Sequence, residues 1–244
     1  QRTAIFFGAQ TPQVIENDLG LLEVLHRLGL RFMQLTYNTQ SLLGAGWQEA
    51  EDRGLTAMGR EVVAEMNRLG MLIDLSHAGE RTALEAIAAS TRPVCVTHAN
   101  PRHARETGRN VSDTLLRALA ETGGMLGLSL YPHHLPEGSD CTLEGFGVMA
   151  AQAADVIGAE RLGIGSDLCQ GQPDQVVQWM RTGRWSFATS AATFPPQPAW
   201  FRDNRAWDGL AQGLRQAGFS AAETDGILGG NWHRFWQTGL SPAP

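Results

Sequence analysis

Cysteine is scarce in this chain: Cys95, Cys141 and Cys169 are the full complement among 244 residues. Three thiols at wide spacing make neither a disulfide framework nor a zinc knuckle, and they fit a reducing, cytoplasmic compartment. Basic charge is also in short supply, with 19 Lys+Arg against 25 Asp+Glu and a net charge of −6. A phosphate backbone is held by clustered Lys and Arg, so nucleic acid is excluded as a partner. No apolar run approaches the ~18 residues that span a bilayer, so the chain carries no membrane segment. It starts at Gln1 rather than Met and shows no charged-then-apolar leader. Phosphate-binding loops are missing as well: Gly163-Ile164-Gly165-Ser166-Asp167 has two glycines inside a strand pattern, which reads as tight packing rather than a nucleotide site. The absence of a G-x-S-x-G elbow disfavours a serine hydrolase.

What is present is globular: 43% apolar and 18% charged residues exclude global disorder. Six short, nearly continuous apolar runs recur at Ala4–Gln10, Arg31–Tyr37, Met71–His77, Val94–Ala99, Met125–Tyr131 and Leu162–Leu168. Continuous rather than alternating apolar character marks strands buried on both faces, as in a parallel sheet covered by helices. Helices are predicted between them. Thr56–Leu69 presents Met58, Val62, Val63 and Met66 on one stripe and stops at Gly70; Ser112 caps a helix through Leu119; Thr142 opens Leu143–Gly158; and Arg202–Ala217 and Ala221–Gly229 follow. Two long connections, Asn38–Leu55 and Cys169–Trp200, are placed to carry function, the second with Trp200 as part of a lid. Six strands suit either an open doubly wound sheet or a barrel with two exposed edges.

Polar residues gather where strands end: Asp74-Leu75-Ser76-His77, Thr97-His98-Ala99-Asn100 and Gly165-Ser166-Asp167. Carboxyl ends of strands are where barrel enzymes build their sites. His77 and His98 at consecutive strand ends can converge on one metal, and Asp167 can complete the shell or take a proton from water. The alternative is two separate histidines satisfied by backbone. Arg109, eleven residues past His98, can hold a substrate carboxylate bidentately, or else pair with Asp113 on the surface. His26 and His233 read as structural helix residues. His133 and His134 follow the fifth strand; they could line a pocket, but a solvated loop is the stronger expectation for both.

Spaced motifs give a resemblance. Gly54-Leu55-Thr56-x-x-Gly59-Arg60-x-Val62-Val63-x-Glu65-Met66-Asn67-Arg68-Leu69-Gly70, Ile73-Asp74-Leu75-Ser76-His77, Thr97-His98, Arg109-Asn110-Val111-x-Asp113, Gly163-Ile164-Gly165-x-Asp167 and Gly230-Asn231-Trp232-x-Arg234-Phe235 occur in that order. Together they resemble the membrane (renal) dipeptidase family of zinc metallopeptidases, in a bacterial branch with an altered metal site. The resemblance implies an α/β fold, a (β/α)8 TIM barrel of metal-dependent hydrolase type, with about six of the eight units in this chain. On that basis residues 1–244 form a single, N-terminally incomplete catalytic domain. It implies metal-dependent hydrolysis of dipeptides or small amides, with His77, His98 and Asp167 as metal ligands, Asp167 also as catalytic acid/base, and Arg109, Tyr37 and Tyr131 on the substrate. One or two zinc ions are implied. Gln10 stands where the family has a bridging Glu, and the family's His-x-Asp pair has no counterpart here. Those departures support an alternative, a barrel that binds a small carboxylate without hydrolysis. A homodimer is a further expectation.

Overall fold

The computed structural model describes residues 5–182 and 194–240. The elements alternate: β1 (Phe7–Ala9), α1 (Gly20–Arg27), β2 (Leu30–Gln34), α2 (Ala57–Leu69), β3 (Leu72–Asp74), α3 (Glu80–Ala89), β4 (Cys95–Ala99), α4 (Asp113–Glu121), β5 (Met125–Ser129), α5 (Leu143–Ile157), β6 (Leu162–Gly165), α6 (Asp174–Thr182), α7 (Trp207–Gln216), α8 (Ala221–Asp225) and α9 (Asn231–Gly239). All five strand pairings are parallel, and the strands lie in the order of the sequence, β1-β2-β3-β4-β5-β6. A doubly wound sheet reverses its order at a switch point. An unbroken sequential order is that of consecutive units of a (β/α) barrel, and this settles the choice left open by counting strands.

The sheet is tightly curled. A Cβ at Gly127 on β5, or at Gly165 two strands from β4, would run into the main-chain carbonyl of Thr97. Strands two apart come that close only across the concave face of a curved sheet, and glycine is what leaves the room. The edges are shorter than the apolar runs suggested, because β1 holds only three residues. Ile5 and Phe7 there remain 74% and 63% exposed.

Helix ends follow the capping chemistry. Thr56, Ser112 and Thr142 each accept an N–H from the first turn of α2, α4 and α5, and Gly70 ends α2 at φ 71°. The predicted segment 202–217 starts later, at Trp207, since Asp203 folds its carboxylate back on the N–H and guanidinium of Arg205. Segment 221–229 stops at Asp225, and a wide turn of glycines leads into α9.

Two helices lacked a sequence signal. Helix α3 has no side-chain cap of its own at Gly79. Asp52 supplies it from the long connection, accepting the N–H groups of Arg81 and Thr82 and the Thr82 hydroxyl at 2.7–3.1 Å. Helix α6 lies inside the Cys169–Trp200 connection, of which residues 183–193 fall outside the described part.

The main core lies between sheet and helices, with Val63 and Met66 of α2, Leu116 of α4 and Phe146 of α5 fully buried with Val96 and Leu128. At the opposite end of the strands, Trp232, Phe235 and Trp236 of α9 pack on Leu72, Cys95 and Met125, which open β3, β4 and β5. The amino ends of the strands are thereby covered, leaving the carboxyl ends for chemistry.

Candidate active site

His77 and His98 are brought together. Their Nε2 atoms are 3.0 Å apart, and both rings are buried. His98 belongs to β4, whereas His77 lies three residues beyond β3 in the left-handed region at φ 68°. Four described non-glycine residues have positive φ, and two of them are His77 and Asp167, the latter at φ 49°. A non-glycine side chain in this region is held there by its surroundings, and such backbone collects at functional sites.

The proton on each ring follows from its neighbours. His77 Nδ1 is 2.8 Å from Asn38 Oδ1, an atom that also accepts from Trp47 Nε1 at 2.9 Å. Indole nitrogen only donates, so this Asn38 atom is the oxygen, and His77 must donate to it from a protonated Nδ1. His98 Nδ1 is 2.8 Å from Thr97 Oγ1, whose own proton goes to Asp74 Oδ2 at 2.6 Å. Thr97 therefore accepts from His98 Nδ1–H. Asp74 is held by the N–H groups of Ser76 and Thr97 and by Gln34 Nε2, at 2.9–3.0 Å. Burial, reinforced by the Arg109 charge, keeps both imidazoles below their ordinary pKa and hence neutral. Both Nε2 atoms thus present bare lone pairs to each other, an arrangement that a bridging cation would satisfy. Two imidazole nitrogens on one tetrahedral zinc lie about 3.3 Å apart, given Zn–N of about 2.0–2.1 Å. The donor pair therefore fits a metal of that kind.

Asp167 is not part of a three-donor cluster with this pair; among the described residues no group of three or more His, Cys, Asp or Glu side chains is placed to hold a metal. It instead lines a cavity of about 400 Å3 with His98, Gln10, Gln34 and Trp232. Its charge acts on His98, Arg109 and Tyr37.

Arg109 is 7% exposed. The surface pairing with Asp113 does not occur: Asp113 is engaged by His103 at 2.7 Å. Arg109 Nη2 donates to the His98 carbonyl at 2.7 Å, and its buried Nε has no hydrogen-bond partner among the described residues. Burial draws this guanidinium down to about 10, against the pull of Asp167. Tyr37 stacks on His77 with ring centroids 4.2 Å apart. Burial, then the Asp167 charge, pushes its hydroxyl up to about 12, so it stays a donor. Tyr131 meets the rings of His133 and His134 edge-on and acts on the Tyr37 hydroxyl.

His134 departs from the solvated loop expected of it: it is buried, with Nδ1 2.8 Å from Ser129 Oγ. Asn38, Trp47 and Asp74 were not singled out from the sequence for these roles. The only signal was the unusual length of the Asn38–Leu55 connection, which delivers the first two.

The model of the membrane dipeptidase family, peptidase family M19, matches residues 1–181. The chain belongs to that family. Dipeptidase tcpJ of Claviceps purpurea is 32% identical over 178 residues, covering 72% of this chain and 42% of its own length. Dipeptidase verJ of Clonostachys rogersoniana is 32% identical over 168 residues, 68% of this chain and 43% of its own. The chain thus spans less than half the length of these dipeptidase relatives. Among solved structures, an amidohydrolase from Pseudomonas aeruginosa superposes with a TM-score of 0.89 at 33% identity, covering 97% of this chain and 73% of that one. A metallo peptidase from Rhodobacter sphaeroides, liganded with a phosphinate mimic of the dipeptide L-Ala-D-Ala, shares the fold at a TM-score of 0.80 and 24% identity, covering 96% of this chain and 63% of that one. No described helix is long and apolar enough to cross a membrane.

Proposed function

We propose that this chain is the catalytic domain of a metal-dependent hydrolase of dipeptides or related small amides bearing a free carboxylate. The observation that carries the reading is the pair of bare Nε2 lone pairs on His77 and His98, 3.0 Å apart and each locked by its Nδ1 partner. Those two residues would hold a zinc ion. When bound, the ion supplies Lewis acidity and a water nucleophile near neutral pH.

The chain's own residues do the rest. Arg109, buried with an unmet N–H, takes the substrate carboxylate and fixes which end of the substrate enters. Tyr37, held protonated, donates a hydrogen bond beside His77, and Tyr131 closes the other side of the substrate. As water adds to the amide carbon, the Asp167 carboxylate accepts its proton. The C–N bond then breaks, and Asp167 returns that proton to the leaving amine nitrogen.

The test is made on the full-length protein. Purified protein should contain zinc and cleave alanyl-alanine, and chelation should abolish the cleavage. His77→Ala and His98→Ala should each lower zinc affinity by at least tenfold, since each removes a direct donor. Unchanged zinc affinity in both variants would overturn the ligand assignment. Carboxylate binding without turnover of any dipeptide would favour the non-hydrolytic alternative.

A further inference from the structure

Just beyond β5 lies a buried side chain that neither the metal pair nor the guanidinium accounts for. His134 is 5% exposed. Its Nδ1 is 2.8 Å from Ser129 Oγ, which already accepts the Tyr131 N–H at 3.2 Å. The Ser129 hydroxyl proton has no other acceptor among the described residues. It therefore goes to His134 Nδ1, and the ring's own proton sits on Nε2. That N–H has no partner among the described residues.

His134 is also fastened to Arg109. Asn110, next in sequence to Arg109, donates from Nδ2 to the His134 carbonyl at 3.0 Å. Asn100, two residues past His98, donates to the same oxygen at 3.1 Å, and its own N–H donates to Asn110 Oδ1 at 3.2 Å. Arg109, His98 and His134 are thus carried on one buried amide network. The ring lies within electrostatic reach of both Arg109 and His98, and burial holds it neutral. A neutral N–H within electrostatic reach of a buried guanidinium suits a planar anion, since it adds a hydrogen bond without adding a second cation to desolvate.

We propose that His134 is a specificity-determining residue whose Nε2–H donates to the carboxylate that Arg109 binds. The inference rests on that role of Arg109 and names the chemistry read there: a carboxylate held by three or more N–H groups rather than by a bare charge.

The experiment uses full-length protein with alanyl-alanine and its C-terminal amide as substrates. His134→Leu should raise KM for the acid by roughly tenfold, the worth of one hydrogen bond to a charged group, with kcat little changed. The KM for the amide should hardly move. His134→Gln, whose amide nitrogen can stand near the lost Nε2, should recover most of the affinity. Equal KM rises for acid and amide, or a His134→Gln variant no better than His134→Leu, would overturn the assignment. A second readout needs no turnover. With 15N-labelled histidine, the His134 Nε2–H resonance of the wild-type protein should shift on titration with acetate. If no dipeptide is cleaved but acetate moves that resonance, the hydrolytic reading fails and the role of His134 stands. A resonance that acetate leaves unmoved sinks His134.

Discussion

The most informative residues here are the ones that decide where a proton sits. Trp47 touches neither zinc nor substrate in the proposed scheme, yet as a pure donor it fixes the Asn38 amide and, through it, the tautomer of His77. Trp47→Phe leaves Asn38 free to turn its NH2 toward His77 Nδ1, which would place the proton on Nε2 and block the lone pair. Zinc affinity should then fall about tenfold, within the range for outer partners of a ligating histidine, as read by competition with a chelating dye. Retained affinity would show that the packing of the ring is enough. Arg109→Lys should lower kcat/KM for a dipeptide by about tenfold or more, because an ammonium cannot reproduce the planar fork. The C-terminal amide should lose little, and equal losses on both substrates would make Arg109 structural.

At the scale of elements, long connections do the work of caps and braces. Asp52, far from α3 in sequence, satisfies two N–H groups of its first turn and the Thr82 hydroxyl. Asp52→Ala should cost about 1–2 kcal/mol of stability, the worth of a lost cap with a stranded hydroxyl, measured by urea denaturation. An unchanged midpoint would mean water replaces the carboxylate without penalty. The same connection threads past the site: Trp47 N–H donates to the His77 carbonyl at 3.0 Å, and Gly46 bridges to Ala78. Loosening α3 should therefore also loosen His77, so Asp52→Ala is expected to weaken zinc binding slightly while leaving the Thr97–Asp74 support of His98 intact.

For the molecule as a whole, the buried site carries a pH cost. His77, His98 and His134 are all held below the ordinary histidine value, chiefly by burial. Below about pH 6.5 the unfolded chain takes up protons on these rings more readily than the folded chain does. Stability is therefore complete above that pH and falls as the solution is acidified, by up to about 1.4 kcal/mol per pH unit for each such histidine. Urea midpoints of the metal-free protein between pH 7.5 and 5.5 should show this decline, and His134→Leu should reduce its slope. A midpoint independent of pH over that window would mean the rings are not kept neutral by the fold.

Much of this was legible in the chain itself. The six strands were foreseen because a strand covered on both faces must be apolar along its length. The cap at Ser112 and the helix start at Thr142 were foreseen because each hydroxyl can serve an N–H three residues on. His77, His98 and Asp167 stood out for the same reason, as polar groups at the ends of apolar runs. What required the tertiary structure was everything set by contacts between distant segments. The curl of the sheet depends on the Thr97 carbonyl meeting Gly165, and α3 depends on a carboxylate from another connection. His134 looked solvated because its loop is polar, and only the Asn100–Asn110 network, bridging two strand ends, buries it. The bare lone pairs on the two site histidines are likewise a property of their partners, Asn38 and Thr97, which no spacing along the chain specifies.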